Sequence, residues 1–229
     1  MTAPRRLFIE GFRDLSPIFL GAAPFGIIAG ISMTAAGMSP VETGSMTVIV
    51  LAGAAQLAAA ELIGKGAPLL VVVLTALVIN LRFTMYSASL APHFKNLPLR
   101  WKLLCAYGLT DQAYAVAITR YTKEPELANK HWYYLGAAFA LWACWQVTVW
   151  VGVLVGVGVP PEWKLEFAVP LTFLALLLPH LKTRPSLAAA LTASLVAVLA
   201  VGLPYNLGLF LAAGCGVTAG SLLSKGQNA

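Results

Sequence analysis

The sequence predicts an all-α protein, a polytopic integral membrane helical bundle of about eight transmembrane helices, some of them broken by proline or glycine. Of its 229 residues, 59% are apolar and only 10% are charged. The mean hydropathy is +0.80, well above what a water-soluble domain needs. The apolar residues fall into separate runs of roughly 20 residues, the length of a transmembrane helix. We therefore expect one transmembrane domain that covers residues 1–229.

The distribution of charge indicates how the chain is oriented. The formal net charge is +6, but the basic residues are scattered in short segments between the apolar runs, as on the cytoplasmic loops of membrane proteins. This pattern explains the charge without a nucleic-acid partner, and we expect none. Residues 1–13 are predicted to form a short cytoplasmic segment, with an interfacial helix as one form of it, and residues 224–229 a cytoplasmic tail.

The first span is predicted at about Leu15 to Ala36. Pro24 lies within a stretch rich in glycine, Gly21–Gly26, and a proline inside a helix removes one backbone hydrogen bond. One reading is a gap in the helix, which would free backbone groups at mid-membrane to hold a ligand. The other is a packing seam of small residues, in which Gly26 lets a second helix approach closely.

The second span is predicted at about Thr43 to Ile63. Gly53 is a small residue that allows close helix packing, and Gln56 can both donate and accept a hydrogen bond within that contact. The run is barely long enough to cross a bilayer. A partly re-entrant segment is therefore the alternative to a full crossing.

The third span, Gly66 to Leu90, is the stretch from which we expect most of the function. At about 1.5 Å per residue, Arg82 lies roughly 22 Å along a helix that starts at Ala67, inside a hydrocarbon core about 30 Å thick. An arginine at that depth needs a partner or water, unless the loop begins earlier and the side chain reaches the interface. Tyr86 shares its helical face, and Asn80 lies on another polar face.

The fourth span, Leu103 to Tyr121, has Asp111 near its centre. Tyr107, Asp111 and Tyr114 fall on one helical face. A carboxylate inside the membrane indicates a functional site by default, and the alternative is a structural ion pair that holds two helices together.

The remaining apolar runs complete a set of eight crossings with both ends in the cytoplasm. They are expected at Leu135–Val157, Leu165–Leu181, Ser186–Leu203 and Leu207–Leu223. One loop violates the charge rule, since Pro92–Lys102 is basic and yet falls outside the cell in this assignment. Either that loop dips into the protein or an earlier segment does not cross.

The chemistry of the embedded side chains favours transport over catalysis. No catalytic motif such as HExxH, GxSxG or a nucleotide-binding loop is present, so we do not expect an enzyme or a cofactor. Cys105, Cys144 and Cys215 stand singly, and no metal site is expected. Arg82 and Asp111, with amides and apolar walls nearby, suit a small zwitterion.

Four segments, taken in order, resemble one family. They are Gly21–Gly26, Ala52–Gln56, Val78–Tyr86 and Leu109–Asp111. The chain resembles the AzlC family of branched-chain amino acid permeases. The resemblance implies a large subunit that exports small aliphatic amino acids together with a small AzlD-like membrane subunit. Phe83 and Gln112 stand where the family commonly has ionisable residues.

The resulting prediction is a single transporter domain in a bacterial inner membrane. Its site residues are expected to be Arg82, Asp111, Asn80, Gln56, Pro24, Gly26, Gly53, Tyr86 and Tyr107. We expect the small subunit to bind the glycine-bearing eighth span and the tryptophan-rich fifth, and the two-subunit complex could form a homo-oligomer. The alternatives are a structural or regulatory subunit that transports nothing and a passive channel for small solutes.

Overall fold

The structure is a computed structural model that describes residues 3–156, 181, 183–203 and 207–227. Within these ranges all regular secondary structure is helical. The chain divides into two compact units, Met1–Val169 and Pro170–Ala229, and each is described by itself.

The described part of the first unit has nine α-helices. They are α1 Ala3–Leu15, α2 Phe19–Ala35, α3 Pro40–Ile49, α4 Gly53–Gly64, α5 Leu69–Asn80, α6 Arg82–Phe94, α7 Leu99–Tyr107, α8 Asp111–Lys123 and α9 Lys130–Gly156. In the second unit, the described helices are α10 Arg184–Leu199 and α11 Leu207–Gln227.

Two long apolar helices form the centre of the first unit. A short 3-10 turn, Ser16–Ile18, joins α1 to α2, and together they give an apolar helix of 32 residues, Pro4–Ala35. The other helix, α9, has 27 residues. At about 1.5 Å per residue, a helix of that length spans about 40 Å, which exceeds the hydrocarbon core of a bilayer. Both can therefore cross a membrane.

Glycines allow these two helices to pack closely, and the contacts at the glycines show the relative direction of the helices. A Cβ on Gly11 would overlap the carbonyl oxygen of Tyr133, and a Cβ on Gly30 would overlap that of Val149. The contacts advance in the same sense along both helices, so α1–α2 and α9 run parallel. Their amino-terminal ends, at Ala3 and Lys130, lie on the same side of the unit.

The expected gap near Pro24 is wrong. The α2 helix continues from Phe19 to Ala35 with Pro24 inside it. The ring of Pro24 is exposed, whereas Gly26 is buried where a Cβ would overlap the Thr148 hydroxyl of α9. Packing of the buried face against α9 keeps the helix continuous despite one missing hydrogen bond. The small-residue seam, the alternative reading of this stretch, is what the structure contains.

The predicted second span is two short helices, α3 and α4, separated by a break at residues 50–52. The first begins at a capping box, in which the Ser39 hydroxyl accepts from the Glu42 amide and the Glu42 carboxylate accepts from the Ser39 amide. The second ends where Gly64 packs against Ala36, just beyond α2. The α3–α4 pair therefore starts and finishes beside the carboxyl end of α2.

The predicted third span is the bent pair α5–α6. The two helices meet at Leu81 with a bend of 42°. Leu62 of α4 packs on Val72 of α5, so α5 starts beside the end of α4. At the other end, the Phe94 ring lies 5.5 Å from the Tyr134 ring, near the start of α9. This pair consequently runs the full length of the unit.

The predicted fourth span is a second pair of short helices, α7 and α8, with a break at residues 108–110. Near the start of α7, the Trp101 ring lies 4.9 Å from the ring of Trp132 in α9. Near the end of α8, the Tyr121 hydroxyl donates to the Lys130 carbonyl at 2.7 Å. Both ends of this pair therefore lie at the start of α9.

Among the described residues, fewer helices than expected are long and apolar enough to cross a membrane alone. Two helices, Pro4–Ala35 and Lys130–Gly156, are long and apolar enough to span a membrane, and α5–α6 makes a third if the bent pair is one span. Eight crossings are thus not confirmed. The predicted sixth span, Leu165–Leu181, lies outside the described residues apart from its last residue.

In the second unit, α10 and α11 pack through small residues. Gly216 and Gly220 of α11 lie against Ala189 of α10, closely enough that a Cβ on either would touch it. They form the expected small-residue face, but α10 already occupies it. Binding of a small subunit to the eighth span therefore stays a prediction, and it concerns the faces of α11 that α10 leaves open, such as the one that carries Gly214.

Candidate functional site

An ion pair between two broken segments is the core of the candidate site. The Nη1 atom of Arg82 lies 3.1 Å from Oδ2 of Asp111, and the side chains are 32% and 36% exposed. Arg82 is the first residue of α6, directly after the bend at Leu81. Asp111 is the first residue of α8, directly after the break, where the Thr110 hydroxyl accepts from the Ala113 amide at 3.2 Å.

The two charges have opposite relations to their own helices. Asp111 lies at the amino end of α8, where the helix dipole stabilises a carboxylate. Arg82 lies at the amino end of α6, where the dipole opposes a cation. Arg82 therefore depends on Asp111 or on another anion to remain at this position.

Three polar atoms, two of the ion pair and one of Asn80, two residues before Arg82, have unused hydrogen-bonding capacity. Oδ1 of Asn80, Nε of Arg82 and Oδ1 of Asp111 are buried and lack a hydrogen-bond partner among the described residues. Buried polar atoms in folded proteins are nearly always paired, so three together require an explanation. Two acceptors and one donor match an ammonium group and a carboxylate group, which are the two ends of an amino acid.

Aromatic side chains line the same place. The ring of Tyr86, four residues after Arg82, stacks on that of Tyr114 with centroids 4.4 Å apart, and the Tyr114 hydroxyl donates to the Ser89 hydroxyl at 3.1 Å. The Phe83 ring centroid lies 5.4 Å from the Arg82 guanidinium carbon. These rings supply apolar surface next to the charges. Sequence reasoning did not assign Phe83 a role, because an aromatic residue in an apolar run carries no distinguishing signal.

The other predicted site residues take part in a different cluster, at the break between α3 and α4. A helix end leaves carbonyl groups without partners. Here side chains supply the missing donors, since Gln146 donates to the Thr47 carbonyl at 3.0 Å and Tyr107 to the Val48 carbonyl at 2.7 Å. Gln56 donates to the Val50 carbonyl. Gln56 and Tyr107 thus support a broken backbone.

Helix α9 anchors this second cluster. The Trp145 indole donates to the Gln56 side chain at 3.1 Å, and the Trp142 indole donates to the Tyr107 hydroxyl at 3.2 Å. Gly53 packs against the Trp145 ring, as does Phe25 of α2. Sequence reasoning missed this role of Trp142 and Trp145, although two tryptophans and Gln146 at helical spacing were a usable signal.

The structure therefore divides the predicted residues into two groups. Arg82, Asp111, Asn80 and Tyr86 lie at the ion pair or within one helical turn of it. Gln56, Gly53, Gly26 and Tyr107 lie in the network around α9, and Pro24 is exposed on α2. Among the residues that the structure describes, no three His, Cys, Asp or Glu side chains are grouped so as to hold a metal ion.

Comparison with known proteins matches the chain to one protein family and to several membrane proteins. The family model described as "AzlC protein" matches residues 17–159, a range that includes both charges of the ion pair. The chain is 28% identical over 216 residues to the inner membrane protein YgaZ of Escherichia coli strain K12, which covers 91% of this chain and 88% of that protein.

Two further relatives extend the comparison. A membrane protein of Archaeoglobus fulgidus is 29% identical over 182 residues, with 78% of each chain covered. The branched-chain amino acid transport protein AzlC of Bacillus subtilis strain 168 is 28% identical over 127 residues, covering 55% of this chain and 48% of that protein. No solved structure matches the chain.

Proposed function

The chain belongs to the AzlC family, and we propose that it is the large subunit of a two-component exporter for branched-chain or other small aliphatic amino acids. Its place is the cytoplasmic membrane of a bacterial cell. The name of the Bacillus subtilis relative supports the substrate class, and the inner-membrane relative supports the location. The direction of transport and the second subunit rest on the family resemblance.

The observation that carries this proposal is the Arg82–Asp111 pair with its unused polar atoms. A substrate carboxylate binds the Arg82 guanidinium, which has a free Nε donor. The substrate ammonium binds Oδ1 of Asp111 and Oδ1 of Asn80, both free acceptors. An aliphatic side chain then packs against Phe83 and the Tyr86–Tyr114 stack.

The ion pair provides a simple way to hold and release substrate. Without substrate, Arg82 and Asp111 neutralise each other at 3.1 Å. A zwitterionic substrate replaces that contact with two new ones and adds no net charge, so the site stays neutral. Protonation of Asp111 removes its attraction for Arg82 and leaves the guanidinium available to a carboxylate. Replacement of the ion pair by a zwitterion leaves no charge unpaired, whereas protonation of Asp111 leaves Arg82 as a free cation that attracts the substrate carboxylate.

The proposal is tested by amino-acid efflux from cells that lack their own exporter. Cells that carry the chain and a small partner subunit are loaded with labelled leucine, and its release is measured. We expect saturable release that Arg82→Met abolishes. The matched control is Lys65→Met, which breaks an exposed ion pair with Glu61 at 2.6 Å and should leave release unchanged. Normal release from an Arg82→Met variant inserted at wild-type level would refute the proposed site.

The same measurement separates a carrier from a passive channel. A carrier that binds leucine at one site saturates as the internal concentration rises, and isoleucine or valine competes with leucine. A channel gives release proportional to concentration, without competition. Release that is proportional to concentration and shows no competition would identify the protein as a channel. That result would overturn the exporter mechanism.

A further inference from the structure

The two pairs of short helices approach each other from opposite ends of the first unit. We propose that α3–α4 and α7–α8 are re-entrant hairpins that enter the bilayer from opposite faces and meet near its middle. The relation of this meeting point to transport rests on the proposed function. The topology itself does not.

The ends of the first hairpin lie on one side. Gly44 packs against Trp150 near the carboxyl end of α9, and Gly53 packs against Trp145, which lies deeper. The chain then turns back until Gly64 contacts Ala36. The break at residues 50–52 is therefore the innermost point of α3–α4.

The ends of the second hairpin lie on the opposite side. Trp101 contacts the rings of His131 and Trp132, and Tyr121 bonds the Lys130 carbonyl. Between them, Gly108 packs against Ala138, further along α9. The break at residues 108–110 is therefore the innermost point of α7–α8.

Helix lengths agree with half-crossings. α3, α4, α7 and α8 have 10, 12, 9 and 13 residues. At about 1.5 Å per residue such helices measure roughly 14–20 Å, about half to two thirds of a 30 Å hydrocarbon core. Each helix alone is too short to cross the bilayer. Each pair of helices begins and finishes on the same side of the first unit.

The two tips are joined by a hydrogen bond. Tyr107 ends α7, and its hydroxyl donates at 2.7 Å to the carbonyl of Val48 near the end of α3. The Trp142 indole of α9 donates to the same hydroxyl. Broken backbone at membrane depth is tolerated only where protein or a water-filled cavity provides partners, and this contact provides one.

The charges agree with this topology better than with eight crossings. The face at the start of α9 then holds Arg5, Arg6, Lys95, Arg100, Lys102, Lys123 and Lys130. The opposite face of the described first unit holds Lys65 alone. The basic loop at residues 95–98 thus becomes cytoplasmic, and the violation of the positive-inside rule disappears.

The meeting point also places the candidate site. Asp111 directly follows the break at the tip of the α7–α8 hairpin. Arg82 directly follows the bend at Leu81 in the α5–α6 pair, which passes beside that tip. The contact between the two tips involves Tyr107, the last residue of α7, and Asp111 begins α8 after the break that follows it.

Sided chemical labelling tests the topology without any transport assay. Single cysteines at Lys65, Asn96 and Glu126, all exposed, are introduced after Cys105, Cys144 and Cys215 are replaced by alanine. Sealed right-side-out and inside-out vesicles are treated with a membrane-impermeant maleimide. We expect Lys65→Cys to react in right-side-out vesicles only, and Asn96→Cys and Glu126→Cys in inside-out vesicles only. Reaction of Asn96→Cys and Glu126→Cys from opposite sides, as eight crossings require, would overturn the proposal, and so would reaction of Asn96→Cys from the same side as Lys65→Cys.

Crosslinking tests the contact between the tips. Val48→Cys combined with Tyr107→Cys should be joined by a short bifunctional maleimide, with the linked peptides identified by mass spectrometry. The control pair, Val41→Cys with Tyr107→Cys, places one cysteine at the start of α3 and should not be joined. Equal linkage of both pairs, or linkage of the control alone, would contradict the meeting of the two tips.

Discussion

At the scale of single residues, the position of Arg82 is the least expected feature of the chain. A cation at the amino end of a helix and away from bulk water is disfavoured twice, by the helix dipole and by desolvation. Asp111 offsets both effects from 3.1 Å away. Retaining such an arrangement at a bend in the chain makes physical sense if the pair is used in transport.

The first residue-scale prediction compares two replacements of Arg82. Lysine keeps the charge but loses the planar, bidentate donor set of the guanidinium, whereas methionine loses both. We expect Arg82→Lys to insert normally and to export leucine with an apparent Km raised about tenfold, about 1.4 kcal/mol of binding free energy. Efflux kinetics on membranes with matched protein levels measure this. An unchanged Km would show that Arg82 does not bind the carboxylate.

The sequence predicted these two charges but not their geometry. Arg82 and Asp111 stand out because charged residues are rare in apolar runs, and their opposite signs suggested pairing. The grouping of Gln56 and Tyr107 with the ion pair could not be tested from sequence, since it depends on where the backbone breaks. In the structure those two side chains bond Val50 and Val48 instead.

At the scale of helices, the chain breaks at residues 50–52, at Leu81 and at residues 108–110. Sequence rules look for proline and glycine, and one of the two readings they gave places a gap at Pro24, where the helix is continuous. The break after α3 has no proline, and donors from Gln146, Tyr107 and Gln56 stabilise it. Gln146 and Tyr107 lie far from the break along the chain, so local sequence rules cannot reveal it.

The break after α3 yields a stability prediction. Gln56→Leu removes the donor to the part-buried Val50 carbonyl and the acceptor of the buried Trp145 indole. Leaving such groups unpaired costs about 1–3 kcal/mol each. We expect a clear drop in the midpoint of thermal unfolding in detergent. As a control, Thr119→Val removes only an exposed bond to the Ala115 carbonyl of the same helix and should change little; equal losses would contradict the account.

The seam between α2 and α9 yields a second prediction at this scale. Gly30→Ala places a methyl group on the Val149 carbonyl oxygen, and backbone must move to admit it. Overpacking of this kind costs about 1–3 kcal/mol, so the unfolding midpoint should fall. Gly21→Ala, on the same helix with open space around it, should be neutral or slightly stabilising. The reverse order would exclude close packing of these helices.

At the scale of the whole molecule, composition alone predicted the membrane class and the helical fold. The fifth predicted span, Leu135–Val157, agrees closely with α9, because a long uninterrupted apolar run leaves few alternatives. The count of eight crossings is not confirmed, since apolar runs of spanning length contain breaks that only long-range contacts stabilise. The second and fourth runs are the clearest examples.

The dependence on a second subunit is a prediction about the whole assembly. The purified chain, reconstituted alone, should show little leucine release, and addition of the small AzlD-like subunit should restore it. Release from proteoliposomes is measured with and without that subunit at equal amounts of this chain. Full release by the chain alone would show that it is a complete transporter.

The most direct test of the central claim is leucine efflux by the double variant Arg82→Met with Asp111→Leu. Replacing both partners of an ion pair with apolar residues leaves no charge unpaired, so the variant should fold and insert. If the pair is part of the substrate site, we expect the inserted double variant to export no more leucine than cells that lack the chain. If the double variant inserts and exports at the wild-type rate, the pair only fixes two helices together, and the proposed site is wrong.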